Sequence, residues 1–367
     1  MKISLLDPGL QHLAGHHFDL DLRLVRELAK RGHEVAVHGY ANPSPEFSAM
    51  AKTAGMAFHA TFRVLTYARL PEGEPAIEVY RRFAVATAKD LADVPQTDLW
   101  IWPTLVPYQL MAAILQSRPI RQIGGVWASP RVQHPIGARC WAGATRRLAD
   151  AHSSIIVGAY DEALCELYRS FSPGLHIAKL PCPHDGAPND RQPSALRRIG
   201  FFGQQNVTRG LDLMPELVMA LLERGFEVVV QDSGGAIRRQ GHDNPKLIVL
   251  PFLADFPSEI ARCDVVIWPT QLKAYTENLS GVVSECIATG VPVILPSGCM
   301  PAAIASRFGC GIFFHEFSRD GILEAVDEAT QQFPAHFARA HAAATAWRAV
   351  NGTDRLVDWI EAHSAVS

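Results

Sequence analysis

Long apolar runs are missing from this chain. No stretch approaches the roughly 20 apolar residues that cross a bilayer. The opening MKISLLDPG is cut short by Asp7 and Pro8, which excludes a signal peptide or anchor. A soluble, cytoplasmic protein is expected. A surplus of one charge is missing too, since the formal net charge is −3. Up to residue 190 there are 19 basic and 18 acidic groups, and 15 and 19 after it, which sum to 34 and 37. Neither part is a basic module, so no nucleic-acid partner is expected. The seven cysteines form no C-x-x-C pair. That leaves reduced, partly buried thiols and gives a structural zinc site no spacing to use. Catalytic signatures are equally scarce: there is no G-x-S-x-G, no Walker A and no H-E-x-x-H. The first strand lacks a strict G-x-G-x-x-G, which weakens a dehydrogenase reading.

What is present is α/β alternation. The 367 residues suit two domains or one large α/β domain. With 48% hydrophobic and 19% charged residues, the composition is globular. Ile3 to Leu6 reads as a strand, Phe18 to Lys30 as an amphipathic helix ended by Gly32, and Glu34 to His38 as a second strand. Leu99 to Trp102, Ile120 to Val126 and Ile155 to Val157 repeat the strand signal, with helices at Ala76 to Ala92 and Tyr108 to Gln116. Residues 181–195, PCPHDGAPNDRQPSA, hold four prolines and break the series. A second series follows, with strands at Ile199 to Phe202, Glu227 to Val230, Leu247 to Leu250, Asp264 to Trp268 and Pro292 to Leu295. Both halves predict parallel, Rossmann-like sheets with ligands beyond the carboxyl ends of the strands, facing a cleft. The expected division is an N-terminal domain at 1–183, a linker at 184–196, a C-terminal domain at 197–340, and terminal helices at 341–367 that pack back toward the N-terminal domain.

Residues 277 to 285 read ENLSGVVSE and follow the strand CDVVIWP. An apolar run ended by Thr289 and Gly290 places the helix start near Leu279 to Gly281. Glu277 then precedes the helix and Glu285 lies on its second turn. Eight helical residues rise about 12 Å and turn about 80° from the starting face. An acid/base pair across one glycosidic bond stands about 5 to 9.5 Å apart, which this spacing does not favour. Between the carboxylates lies a helix N-terminus, whose unpaired N–H groups and partial positive charge suit a phosphate. Ser280 and Gly281 are small enough to admit a ligand to the backbone. Hydroxyls, then phosphates, then more hydroxyls would match this order, as in a nucleotide sugar. The bland alternative is a solvated helix face.

Glu277 and Glu285 resemble the E-x7-E motif of retaining GT-B glycosyltransferases, glycosyltransferase family 4 above all. The resemblance covers most of the chain and is sharpest from Arg198 to Phe314. It implies that Glu277 contacts the donor sugar, that Leu279 to Gly281 hold its diphosphate and that Glu285 binds the ribose. The family's Gly-aromatic-Gly run is replaced by Asn278, Leu279 and Ser280. In GFFGQQNVTRGLDLM, residues 200–214, a strand meets a glycine turn at Gly203. The family has an Arg after this Gly and a Lys before the next, and both neutralise the leaving diphosphate. Here Arg209 keeps the second charge and Gln204 replaces the first, with Lys273 a candidate to compensate. The loop PSGCMP lies near the donor sugar in the family, which marks Ser297 and Gly298; a plain turn is the alternative.

The loop DPGLQHLAGHH resembles the glycine-rich loop of GT-B enzymes that faces donor phosphates and acceptor, which marks Gly15, His16 and His17. Three histidines in six residues raise a metal idea, but no carboxylate or Cys is tied to them by spacing. Asp19 and Asp21 read as helix N-terminal charges. His134 is a further cleft candidate, with a structural role as its alternative. The resemblance implies sugar transfer from a nucleotide diphosphate with retention, no metal and no cofactor beyond the donor substrate. The acceptor is left as a glycan, a lipid-linked carrier or a small molecule, and the lipid case would bring the protein to the inner membrane face. Two other classes stay open: a catalytically silent GT-B nucleotide binder, and another nucleotide-sugar enzyme such as an epimerase.

Overall fold

A computed structural model describes residues 1–13, 16–132, 134–148, 154–173, 175–187, 189–232, 235, 237, 244–250, 253 and 255–364. The chain divides into two compact units, Met1–Pro183 with Thr353–Ser367, and His184–Gly352.

The first unit alternates β1 (Lys2–Leu6), α1 (His16–Lys30), β2 (Glu34–Tyr40), α2 (Pro45–Thr53), β3 (Phe58–Phe62), α3 (Ala76–Leu91) and β4 (Leu99–Trp102). It continues with α4 (Pro107–Ile114), β5 (Arg121–Val126), α5 (Gly137–Thr145), β6 (Ser154–Ala159), α6 (Glu162–Phe171) and β7 (Ile177–Lys179). The seven strands run parallel in the order β3-β2-β1-β4-β5-β6-β7. β1 is central, with Leu5 opposite Val37 on one side and Ile101 on the other. The strand order reverses between β1 and β4, the place where open α/β sheets bind ligands beyond the strand ends. LWIW forms β4 because all four side chains are buried, as a strand covered on both faces requires.

The second unit holds β8 (Arg198–Phe201), α7 (Met214–Glu223), β9 (Glu227–Gln231), β10 (Leu247–Leu250), α8 (Phe256–Ala261), β11 (Val265–Ile267), α9 (Gly281–Thr289) and β12 (Val293–Pro296). Then come α10 (Met300–Phe308), β13 (Gly311–Phe314), α11 (Arg319–Gln331) and α12 (Phe333–Val350). Its six strands are also parallel, in the order β10-β9-β8-β11-β12-β13, with the reversal between β8 and β11. Ile199, Phe201, Leu217, Val228, Ile267, Ile294, Val326 and Phe333 share one apolar core.

Residues 184–196 belong to this second unit rather than standing apart as a linker. The N–H of Ala187 donates to Thr289 Oγ1 at 3.3 Å, and Arg191 donates to the carbonyls of Ala261 and Cys263 at 3.1 and 2.9 Å. α12 stays here too, against α9 and α10. The segment that joins the first unit is α13 (Thr353–Ser364), where Arg31 meets Asp358 and Glu361, and His33 Nε2 lies 2.8 Å from Glu361.

All seven cysteines are free and buried. Burial pushes the Cys165 thiol up to about 11 and those of Cys263 and Cys310 up to about 12. Among the described residues no helix is long and apolar enough to cross a membrane.

His38 on β2 is buried, with Nδ1 3.0 Å from Thr61 Oγ1 and its ring stacked on His59 at 4.9 Å. Burial, and then His59, lower its pKa from 6.5 to about 4. Because the folded value is depressed, its contribution to stability is intact above pH 6.5 and is lost as pH falls from 6.5 towards 4. Linkage puts the loss at about 2 kcal/mol by about pH 5. Comparing thermal midpoints across this range, His38→Gln should flatten the acid loss; identical slopes would refute the assignment.

Candidate functional site

In the second unit the site grows from the ends of β8, β11 and β12. β8 runs into Gly203, at φ +91°, whose N–H donates to Gln231 Oε1 at 2.8 Å. The chain then makes a short 3-10 turn, Val207–Arg209, capped by Asn206 Oδ1, which accepts the Arg209 N–H at 3.0 Å. Gly210 closes it at φ +73°, where a Cβ would meet the Pro269 carbonyl at 2.6 Å. This geometry sets Arg209. Its Nε and Nη2 donate to Tyr275 Oη, the former at 3.1 Å, and its guanidinium lies 5.3 Å from the Tyr275 ring and 5.9 Å from that of Trp268. Nη1 is buried and has no hydrogen-bond partner among the described residues. A Cβ on Gly203 would collide with Nη1 and stand 3.1 Å from Val282 Cγ2. Gly203, the Arg209 cation and the first turn of α9 therefore share one place.

α9 starts at Gly281 because Ser280 caps it, its Oγ accepting the Val283 N–H at 3.4 Å. The N–H groups of Gly281 and Val282 precede the first intrahelical bond, Ser284 N–H to Ser280 O at 2.9 Å. Around this start, Leu279 is buried and Asn278 Nδ2 donates to Ala274 O at 3.0 Å. Glu277 is half-buried in the preceding turn, while Lys273 and Gln204 are exposed. Ser297 Oγ lies 2.9 Å from His315 Nδ1. Gly298, at φ +82°, faces Leu272, and the Met300 N–H donates to Tyr275 O at 3.2 Å. The 297–300 loop thus lies against the 272–275 turn.

Glu285 is elsewhere. It is 1% exposed, with Oε2 2.6 Å from His184 Nδ1 and Oε1 accepting the Gly186 N–H at 2.9 Å. The His184 carbonyl accepts from Trp347 Nε1 at 2.8 Å. The Cε1 and Nε2 edge of its ring stands 3.4 and 3.6 Å from where a Cβ on Gly281 would be. The carboxylate thus anchors residues 184–186 to α9.

In the first unit, Asp7 ends β1 fully buried. Its Oδ1 accepts the Gly9 N–H at 2.8 Å, and its Oδ2 lies 2.7 Å from His17 Nδ1. The His17 ring fills the space a Gly9 Cβ would need. Asp21, one turn along α1, is also fully buried rather than an exposed helix-start charge. Burial, then the Asp7 carboxylate, hold its pKa well above the usual carboxylate range. Asp19 does pair on the surface, with Arg23. Gly15 and the side chain of His16 lie outside the described residues. His134 is half-buried, and its Nδ1 accepts the Ile136 N–H at 3.2 Å, which closes a local turn. Among the described residues no group of three His, Cys, Asp or Glu could hold a metal ion.

No protein-family model matches the chain, and no curated protein matches it. Solved structures do. A sucrose-phosphate synthase from Thermosynechococcus elongatus superposes with a TM-score of 0.69 at 11% identity, over 99% of this chain and 98% of its own. Anabaena Alr3699/HepE, in complex with UDP and glucose, gives 0.66 at 14% identity over 100% of both chains. The glycosyltransferase SnogD from Streptomyces nogalater gives 0.63 at 16%, over 99% of each. The chain has the GT-B fold.

Within GT-B, Gly203, Arg209, Ser280 and Gly281 stand at the carboxyl ends of the second sheet. Lys273, Asn278, Ser297 and Gly298 flank them. Sequence reading missed Tyr275, which aims Arg209; His184 and Gly186, which hold Glu285; and Asp7, which orients His17. Only Asp7 left a signal, as a lone acid directly after the first strand.

Proposed function

We propose that this protein is a glycosyltransferase that moves a sugar from a nucleotide-diphosphate donor to an acceptor held by the first unit. The buried Nη1 of Arg209, which has no partner among the described residues and lies beside Gly203 and the start of α9, carries this reading. A half-buried cation and a capped helix N-terminus at one point suit a diphosphate. Structures of similar fold are described with UDP and glucose, or with dTDP.

Arg209 and the α9 amides would neutralise charge as the bond from the anomeric carbon to the diphosphate oxygen breaks. Glu277 would orient the sugar, and Asn278, Leu279 and Ser280 would shape its pocket. Glu285, at 1% exposure, meets a ribose only if His184 shifts, so its main part is to hold residues 184–186 on α9. The resemblance to family 4 favours retention, in which the departing phosphate takes the acceptor proton. The His17–Asp7 pair favours a second reading, inversion with His17 as general base, because Asp7 fixes one ring nitrogen and would stabilise the imidazolium.

Calorimetry with UDP, dTDP, GDP and ADP and their sugars tests the main claim: one donor series should bind, and binding by none would end it. The anomeric configuration of the product, read by NMR, separates the two mechanisms. Inversion together with His17→Gln loss of about 100-fold or more in turnover selects the base; retention with little loss selects the front-face route.

A further inference from the structure

An open pocket lies in the first unit beyond the carboxyl ends of β4 and β5. The chain builds it from the loops after those strands, WPTLVP at 102–107 and VWASPRV at 126–132. Its walls are fixed by their polar ends. Trp127 Nε1 donates to the Pro103 carbonyl at 3.0 Å, and its ring lies 4.2 Å from that of Tyr160, whose Oη donates to the same carbonyl at 3.2 Å. Tyr168 Oη donates to Ala128 O at 2.8 Å, and the Leu105 N–H donates to Gly125 O at 2.7 Å. Among the described residues, no lining residue carries a charge and none is an amide. Glycan recognition needs several convergent donors and acceptors, because each sugar hydroxyl must be paired. This pocket supplies few.

Three further features define what fits. Tyr67 and Val132 are large apolar residues left 45% and 47% exposed in its lining. Thr104 is 2% exposed, and its Oγ1 has no hydrogen-bond partner among the described residues. Tyr67 also lies 5.9 Å, ring to ring, from His17. The pocket is thus continuous with the Asp7–His17 pair through one side chain.

From this geometry we infer that the acceptor is a planar, uncharged phenol bearing a carbonyl group, and not a glycan or a lipid-linked sugar. Its rings lie among Trp127, Tyr67 and Tyr168, its carbonyl accepts from Thr104 Oγ1, and its phenolic oxygen lies towards His17. The inference rests on the glycosyltransferase reading. The transfer forms a bond from the phenolic oxygen to the anomeric carbon. It breaks that carbon's bond to the diphosphate oxygen, which keeps the electron pair, and the phenolic proton passes to His17 or to the released diphosphate.

Calorimetry on the full chain without donor tests it with 4-methylumbelliferone, 2-naphthol and maltotriose. Both phenols should saturate and maltotriose should not. Tyr67→Ala and Val132→Asp should each weaken both phenols about fivefold or more. Thr104→Val should weaken 4-methylumbelliferone by a similar factor and leave 2-naphthol, which lacks the carbonyl, unchanged. Saturable maltotriose binding overturns the inference, as does absence of phenol binding or indifference to both Tyr67→Ala and Val132→Asp. Nucleotide titrations of the same samples keep the two readings apart. Retained nucleotide binding without phenol binding removes the acceptor class alone; loss of both removes the transferase reading as well.

Discussion

Arg209→Met should lower turnover by about 100-fold or more, the range seen when one preorganised donor to a developing anion is removed. Nucleotide-diphosphate affinity should fall by about tenfold or more, since a hydrogen bond to a charged group is worth roughly 1.5–3 kcal/mol. The geometry makes the loss specific. Two guanidinium nitrogens are held by Tyr275 and the third is buried with no partner among the described residues, so the cation is aimed before any ligand arrives. The fold should tolerate the change, because methionine fills the same apolar ground against Trp268 and Tyr275 and removes a buried, unpaired N–H. Arg209→Lys should recover charge without the planar fork and fall between the two. Tyr275→Phe, which frees the guanidinium, should weaken binding less than Arg209→Met. Unchanged nucleotide affinity in Arg209→Met, with an unchanged melting temperature, would sink the diphosphate assignment.

His184→Leu should be among the most destabilising substitutions in the second unit, at about 3–5 kcal/mol. The reason is the carboxylate it leaves behind. Glu285 is 1% exposed, and His184 Nδ1 lies 2.6 Å from its Oε2, so leucine takes a polar partner away from a buried carboxylate. Glu285→Gln should cost less, because the amide keeps an acceptor for Gly186 and carries no charge. The double replacement His184→Leu with Glu285→Leu should recover much of the loss, since two apolar groups need no partners. A double-mutant cycle by denaturant or calorimetric unfolding measures the coupling. A cost below about 1 kcal/mol for His184→Leu would show that the pair contributes little.

Both predictions rest on residues whose visibility in the sequence differs. α9 could be placed because GVVSECIAT is mostly small and apolar around its one charge, Glu285, with a serine cap before it and a glycine after it, at φ +77°. β4 and β8 were legible for the same reason, as short apolar runs bounded by breakers. β3, FHATF, was not: it is an edge strand whose first four residues are exposed or half-buried, so hydrophobicity leaves little mark. β7 has only three residues. Arg209 could be found from its glycine neighbours. The Glu285–His184 contact could not, because 101 residues separate the two and nothing local couples them. Asp21 was misjudged on local grounds. Acids near a helix start are usually exposed, but the helical period puts 17 and 21 on the same face as Leu20 and Leu24, and that face is buried. The proline-rich 181–195 stretch shows the opposite failure. Its lack of repeating structure is real, yet its side chains and amides are tied to α9 and the β11 edge, which no pattern of residues reports.

The return of α13 to the first unit bears on how the chain is made. Residues 184–352 form one unbroken segment, whereas the first unit needs both Met1–Pro183 and the helix that begins at Thr353. As the chain leaves the ribosome, the segment synthesised second can be completed first. The earlier half must wait, with the Arg31 and His33 side of α1 and β2 uncovered until Asp358 and Glu361 emerge. A released chain truncated after residue 352 would therefore present a complete downstream unit and an incomplete upstream one, the reverse of the order in which they were made.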